Sequence, residues 1–362
     1  MTMTASETGR RNPDLQGFMK RHGLFAGLIG VHSLAAMTTA RFLGLAYDNT
    51  LMQSLATLFG VMIPLFLMIL CVRTLLLMAV FERPARPLDA FVGKIRGVLV
   101  DPERMIGGAF ALFCLVVFFD SFTYFKTVIP HVQPFDWDVA FAEFDRLLHF
   151  GYHPYELLKP LLGTPEMTTF INGVYHFWLF LTYFVLFLVC FSVTDQRRRM
   201  TFLLAFVLTW AIGGNLLAMA FSSAGPVYYQ GLGFGETFVP LMDMLNRFNE
   251  VSPVWALNVQ DLLWEGYLRD DRLAGGISAM PSMHLASSTL LALCGFAYAR
   301  WAGLLLSLFT FLILLGSVHL GWHYAVDGYA GIILAILCWK LAARLSRHQP
   351  ANAQEKAVET TL

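Results

Sequence analysis

Charge is scarce in this chain. Lys, Arg, Asp and Glu make up 14% of its 362 residues, against about 25% in an ordinary soluble domain. Hydrophobic residues make up 57%, with 32 Phe and 8 Trp among them. That balance excludes a water-soluble globular domain and marks an integral membrane protein. There is no excess of either sign: 25 basic residues face 25 acidic ones, so the net charge is zero. That argues against a nucleic-acid partner, which needs a basic surface. Cysteine is also sparse. All five (Cys71, Cys114, Cys190, Cys294, Cys338) fall inside apolar runs, as small core hydrophobes do, rather than in the polar loops of a disulfide scaffold. Lysine is absent between Lys159 and Lys340, which limits the cations open to any site in the second half.

What the chain does have is long apolar runs. Eight are long enough to cross a bilayer as helices: 24–46, 54–81, 106–127, 167–193, 200–222, 281–299, 301–320 and 323–345. The expected fold is therefore an all-α integral membrane protein with about eight transmembrane helices. Residues 1–23 read as a cytoplasmic tail, retained as part of the protein because no small-residue cleavage site follows. Residues 346–362 read as a disordered cytoplasmic tail, since they lack apolar content. Basic residues cluster in the N-terminal tail, in 82–105, at Arg197-Arg198-Arg199, at Arg300 and after Lys340. These positions alternate along the chain, so the positive-inside rule places them all in the cytoplasm. The connections at 47–53, 128–166, 223–280 and 320–322 then fall on the opposite, extracytoplasmic side. Two of these are long. Residues 134–160 and 236–268 mix acidic and aromatic residues at helical spacing, as amphipathic helices lying in the membrane interface do.

Two short stretches open apolar runs on that outer side: Pro281-Ser282-Met283-His284 and His323-Tyr324-Ala325-Val326-Asp327. Ionisable groups at the ends of membrane spans are costly and are functional candidates by default. His323 and Asp327 are four apart, so on a helix they share a face and can hydrogen-bond. Gly275-Gly276 and the residues after it lead into a helix start at Pro281-Ser282, where orphan N–H groups and the helix dipole favour an anion. Ser282 can add a hydroxyl donor. His323 then suits a nucleophile, with Asp327 holding its Nδ1–H so that Nε2 faces phosphorus, and His284 suits an acid/base. The scheme calls for no metal and no cofactor. His32 and His176 read as satisfied packing residues, and so does His319. Asn215 and Asp120 read as interhelical glue.

Pro-Ser-x-His followed by His-x-x-x-Asp resembles the type 2 phosphatidic acid phosphatase superfamily, a six-helix membrane fold shared with vanadium haloperoxidases. His323-Tyr324-x-x-Asp327-x-x-x-Gly331 is similar to the last motif of sphingomyelin synthases. Ala279-Met280-Pro281-Ser282-Met283-His284 and Ser223-Ala224-Gly225-Pro226-Val227-Tyr228-Tyr229 resemble stretches of inositol phosphorylceramide synthases. The resemblance covers 106–345, as a six-helix catalytic domain, and leaves 24–105 as two additional helices with a basic loop. It implies that His323 is the nucleophile, Asp327 its partner, His284 the acid/base and Ser282 a phosphate contact. It also implies a lipid phosphate or phospholipid substrate at the extracytoplasmic face, with water, inositol, ceramide or diacylglycerol as acceptor.

One departure stands out. Superfamily phosphatases usually carry Ser-Arg before the nucleophilic histidine and a Lys-x6-Arg-Pro segment earlier. Here Gly316-Ser317-Val318-His319-Leu320-Gly321-Trp322 contains no arginine. Arg269 and Arg272, with Arg247 behind them, are the cations expected to hold the phosphate instead. That departure shifts the expectation from a phosphomonoesterase towards a head-group transferase.

Overall fold

Apolar segments in a bilayer have no water to bond, so their N–H and C=O groups must be satisfied within the segment, and they form helices. The computed structural model describes residues 15–47, 49–269 and 276–348, and among these the regular structure is helical, without strands. Of the expected tails, 1–23 and 346–362, residues 1–14 and 349–362 lie outside the described residues, while 15–23 open the first helix and 346–348 form a short 3₁₀ turn. Among the described residues, seven helices are long and apolar enough to cross a membrane: α1 (Leu15–Leu43), α2 (Leu51–Glu82), α4 (Pro102–Val132), α7 (Pro165–Cys190), α8 (Gln196–Ala220), α12 (Arg300–His319) and α13 (Ala325–Leu345). A further apolar helix, α11 (Met283–Tyr298), has 16 residues, about 24 Å at 1.5 Å per residue. The basic segment after α2 folds as α3 (Pro87–Leu99).

The expected interfacial helices are each split in two. The 134–160 stretch gives α5 (Asp138–Leu148) and α6 (Pro154–Leu162), broken where Phe150 and Gly151 both take positive φ. The 236–268 stretch gives α9 (Val239–Val251) and α10 (Trp255–Leu268), parted at Ser252-Pro253, because proline disfavours helical geometry in the residue before it.

At the centre, α11 packs chiefly on α12 and α13, α13 packs on α8, and α1 lies along α4. Small residues permit the close crossings. A Cβ on Gly331 of α13 would meet the Ser282 carbonyl at 2.5 Å. One on Gly295 would meet the Gly303 nitrogen at 2.9 Å. These glycines let α13 and α12 press against α11, which sets the two motif stretches side by side.

Polar groups within the spans act as glue, as expected. His32 of α1 pairs with Ser121 Oγ (2.8 Å) and Asn215 Oδ1 (3.0 Å), joining α1, α4 and α8. Asp120 accepts from the Tyr47 hydroxyl and from the backbone and side chain of Thr50, fastening the α1–α2 connection to α4. The five cysteines are free thiols, four of them buried.

Candidate functional site

Ser282 and His284 meet His323 at one end of the bundle. Ser282 is the N-cap of α11, and its Oγ accepts the Leu285 N–H at 3.4 Å. That leaves its own hydroxyl proton available to donate. Pro281, joined to Met280 by a cis peptide, precedes this cap rather than lying in the first helical turn. The Ser282 N–H donates to the Asp327 carbonyl at 2.9 Å, stitching the two motif stretches together. His284 Nδ1 lies 3.4 Å from His323 Nε2. Its ring is held by Tyr175 (centroids 4.4 Å apart, nearly parallel) and Trp178 (4.0 Å). The indole N–H of Trp178 is itself tied to Ser287 Oγ at 2.8 Å.

The partner expected for His323 differs in the structure. His323 is not on a helix with Asp327: Tyr324 is extended, α13 begins at Ala325, and Asp327 sits in its first turn. The His323 Nδ1–H therefore donates to the Ala279 carbonyl at 2.9 Å, with Asp327 Oδ2 farther off at 3.5 Å. Asp327 Oδ2 instead accepts the Tyr324 N–H at 3.0 Å, as half of a capping box. A carbonyl can only accept, so the tautomer is still fixed with Nε2 as the free lone pair. Burial holds the His323 pKa down at about 3. The Ala279 carbonyl pulls the other way and the Lys126 charge adds to the lowering. His323 is thus a neutral imidazole throughout the physiological range.

Two of the three expected cations are exposed on helix surfaces. Arg269 is three-quarters exposed and pairs with Glu265 at 3.0 Å on the outside of α10. Arg247 is exposed on α9, and Arg272 lies outside the described residues. Among the described residues the cation beside the site is Lys126 of α4, which sequence reasoning missed. It is near enough to act on both imidazoles, and its Cγ would lie 3.3 Å from a Cβ on Gly276. A signal for it existed. Lys126-x6-Gln133-Pro134 keeps the spacing of the superfamily's Lys-x6-Arg-Pro, with glutamine in place of arginine.

Two buried carboxylates were also missed as part of the site. Asp138 and Asp145 lie seven apart on one face of α5, and that face turns inward. Asp145 accepts the Ala325 N–H (2.6 Å) and the Val326 N–H (2.9 Å), capping the start of α13 just after His323. Asp138 accepts the Ala224 and Gly225 N–H groups, each at 2.8 Å, and the Tyr324 hydroxyl at 2.8 Å. Burial raises both pKa values, that of Asp145 to about 6, against the pull of the N–H donors.

The Ser223–Tyr229 stretch is the keystone between these parts. Gly225 has φ +99°, and a Cβ there would strike the Trp322 carbonyl at 2.5 Å, so glycine is required. Ser223 O accepts the Ala279 N–H at 2.8 Å, and the Val227 N–H donates to Gly321 O at 2.9 Å. Ala279 is thereby held where its own carbonyl meets His323.

The remaining singled-out histidines each have one ring nitrogen partnered, and His319 Nδ1 is buried without a partner. His176 Nδ1 donates to the Asn172 carbonyl (2.8 Å), and His319 Nε2 pairs with Thr168 Oγ1 (2.8 Å).

A neutral imidazole with a free nitrogen, a second imidazole, a helix N-terminus and a lysine can attack, protonate and neutralise a phosphoester. Comparison with known proteins agrees. The PAP2 superfamily description matches residues 139–341, which covers both histidines, Ser282, Asp327 and Asp145. No curated protein and no solved structure matches the chain significantly. On the strength of that match, which spans more than half its length, the chain belongs to the PAP2 superfamily, whose chemistry is in general that of phosphatases and phosphotransferases.

Proposed function

We propose that this protein transfers the phosphate or phospho-head group of a membrane lipid through a phosphohistidine on His323. The observation that carries this reading is the His323–His284 pair: Nε2 free, Nδ1 tied to Ala279, and the second imidazole 3.4 Å away. A phosphoryl group enters by parting the two rings. His323 Nε2 attacks phosphorus, the N–P bond forms, and the ester P–O bond opposite breaks. His284, on the leaving side, gives a proton to the departing alkoxide. Water or a second alcohol then loses its proton to His284 and attacks, breaking the N–P bond and freeing His323. Lys126, the α11 N-terminus and the Ser282 hydroxyl hold the negative oxygens. Asp327, Asp145 and Asp138 position the backbone around His323 without touching substrate.

The face is extracytoplasmic on the charge pattern of the connections. Motif wording supports transfer in the manner of inositol phosphorylceramide or sphingomyelin synthases, with inositol, ceramide or diacylglycerol as acceptor. The alternative within the same chemistry is strict hydrolysis of a lipid phosphate or polyprenyl pyrophosphate. The missing arginines favour transfer, because a phosphodiester bears less charge than a phosphomonoester.

Purified protein given radiolabelled phospholipid, with and without each acceptor, tests the proposal. A labelled lipid that appears only with an acceptor is the expected product. Release of free phosphate alone overturns the transfer version, and no turnover of any lipid phosphoester overturns both. Vanadate, which mimics pentacoordinate phosphorus, should inhibit.

A further inference from the structure

A cavity of about 550 Å³ lies between α2, α4, α7 and α8, within the range of about 300–1,000 Å³ typical of ligand sites. It is lined by an α4 stripe running from Leu112 through Val116 and Phe119 to Thr123. Those eleven residue steps span roughly 16 Å, about half the hydrocarbon thickness of a bilayer. Its lining changes character along that length. Thr50, Gln53, Ser54 and Thr123 lie towards one end, Thr57 and Leu58 follow one another midway, and Met62, Leu112 and Phe187 line the rest.

The polar end is the one nearer the histidines. Thr123 lies three residues before Lys126 on α4. Phe122, also in the cavity wall, meets Met283, the residue before His284, across Gly214: a Cβ on that glycine would lie 2.6 Å from Phe122 and 3.5 Å from Met283. A lipid is polar at one end and apolar for the depth of one leaflet, and the cavity repeats that order from the site inward. Gln53 and Ser54 put polar side chains on the cavity side of α2, where hydrocarbon alone would penalise them.

We infer that this cavity holds one hydrocarbon chain of the lipid whose phosphate reaches His323, so that α2, outside the matched superfamily segment, sets chain-length preference. The inference rests on the lipid phosphoester reading above.

Phosphatidic acids of short and long chain, presented in mixed micelles, test it with two variants at the apolar end. Leu112→Trp should shorten the cavity and lower kcat/KM for the long chain about tenfold relative to the short one. Leu112→Ala should move the ratio the opposite way, which separates chain fit from a folding defect. Equal changes for both chain lengths overturn the inference. Should the wild-type protein turn over neither lipid, the functional reading fails. The cavity is then judged by photo-crosslinking with phosphatidic acid carrying a mid-chain diazirine. Label on Leu112–Phe119 that Leu112→Trp removes supports chain binding there, and label unaltered by that variant overturns it.

Discussion

Two buried polar clusters occupy opposite ends of the helix bundle and treat their hydrogen-bonding capacity differently. At one end Arg199 is 1% exposed. Its three guanidinium nitrogens reach the Cys190 carbonyl, His22 and Gln196, and the Gly107 carbonyl, at 2.8–3.2 Å. That cluster uses four of the five guanidinium N–H donors and ties α1, α4, α7 and α8 together. About 22 Å away along α7, the His284–His323 cluster is left partly unspent. One nitrogen of His323 is anchored and the other meets only a second imidazole at 3.4 Å. Filled buried networks hold structure, whereas a buried lone pair that meets only a second imidazole is poised for chemistry. Asp138 and Asp145 beside the site belong to the first kind, with both oxygens on N–H or O–H donors, whereas Asp327 leaves Oδ1 buried without a partner.

The comparison is broken most severely by removing the nucleophile. His323→Ala should lower turnover by on the order of 10³-fold or more, with the melting temperature in detergent unchanged; comparable activity in the variant would return His323 to the structural class. Next, Lys126→Ala should cost roughly 10²–10³-fold in kcat/KM, and Lys126→Arg should recover part of it. Arg269→Ala, by contrast, should stay within a factor of two, since its exposed pair with Glu265 is of the weak surface kind. Equal losses at both positions would put the phosphate cation back on α10.

Arg199→Met sharpens the opposite pole. It leaves two buried carbonyls without their donor, at about 1–3 kcal/mol each, so thermal stability should fall while kcat per folded molecule is kept. The smallest effect concerns Asp145, whose pKa burial raises from 3.8 to about 6. A carboxylate that binds its proton more readily folded than unfolded contributes stability that is full below 3.8 and lost as pH rises through about 6. Asp145→Asn should flatten that part of the profile of melting temperature against pH, by a few degrees.

Much of this arrangement was legible in the sequence, and the exceptions have physical causes. Helical class and the meeting of Ser282, His284 and His323 follow from apolar runs and from motif placement at the ends of two of them. The His323–Asp327 bond did not follow, because i,i+4 spacing presumes a helix and α13 starts two residues after His323. Lys126 was hidden inside the apolar run of α4, with Gln133 masking its motif. Asp138 and Asp145 were visible as one face of an amphipathic helix. Periodicity tells which residues share a face, but only packing tells which way the face turns. Here the acidic face turned towards the site's backbone instead of towards water.

The most direct measurement is to quench wild-type protein under alkaline conditions after brief exposure to a lipid labelled in its phosphate, then map the label by peptide mass spectrometry. The account predicts phosphohistidine at residue 323, absent in His323→Ala and accumulating in His284→Ala, where the second step lacks its base. Label on another residue, or label that persists in His323→Ala, would contradict it.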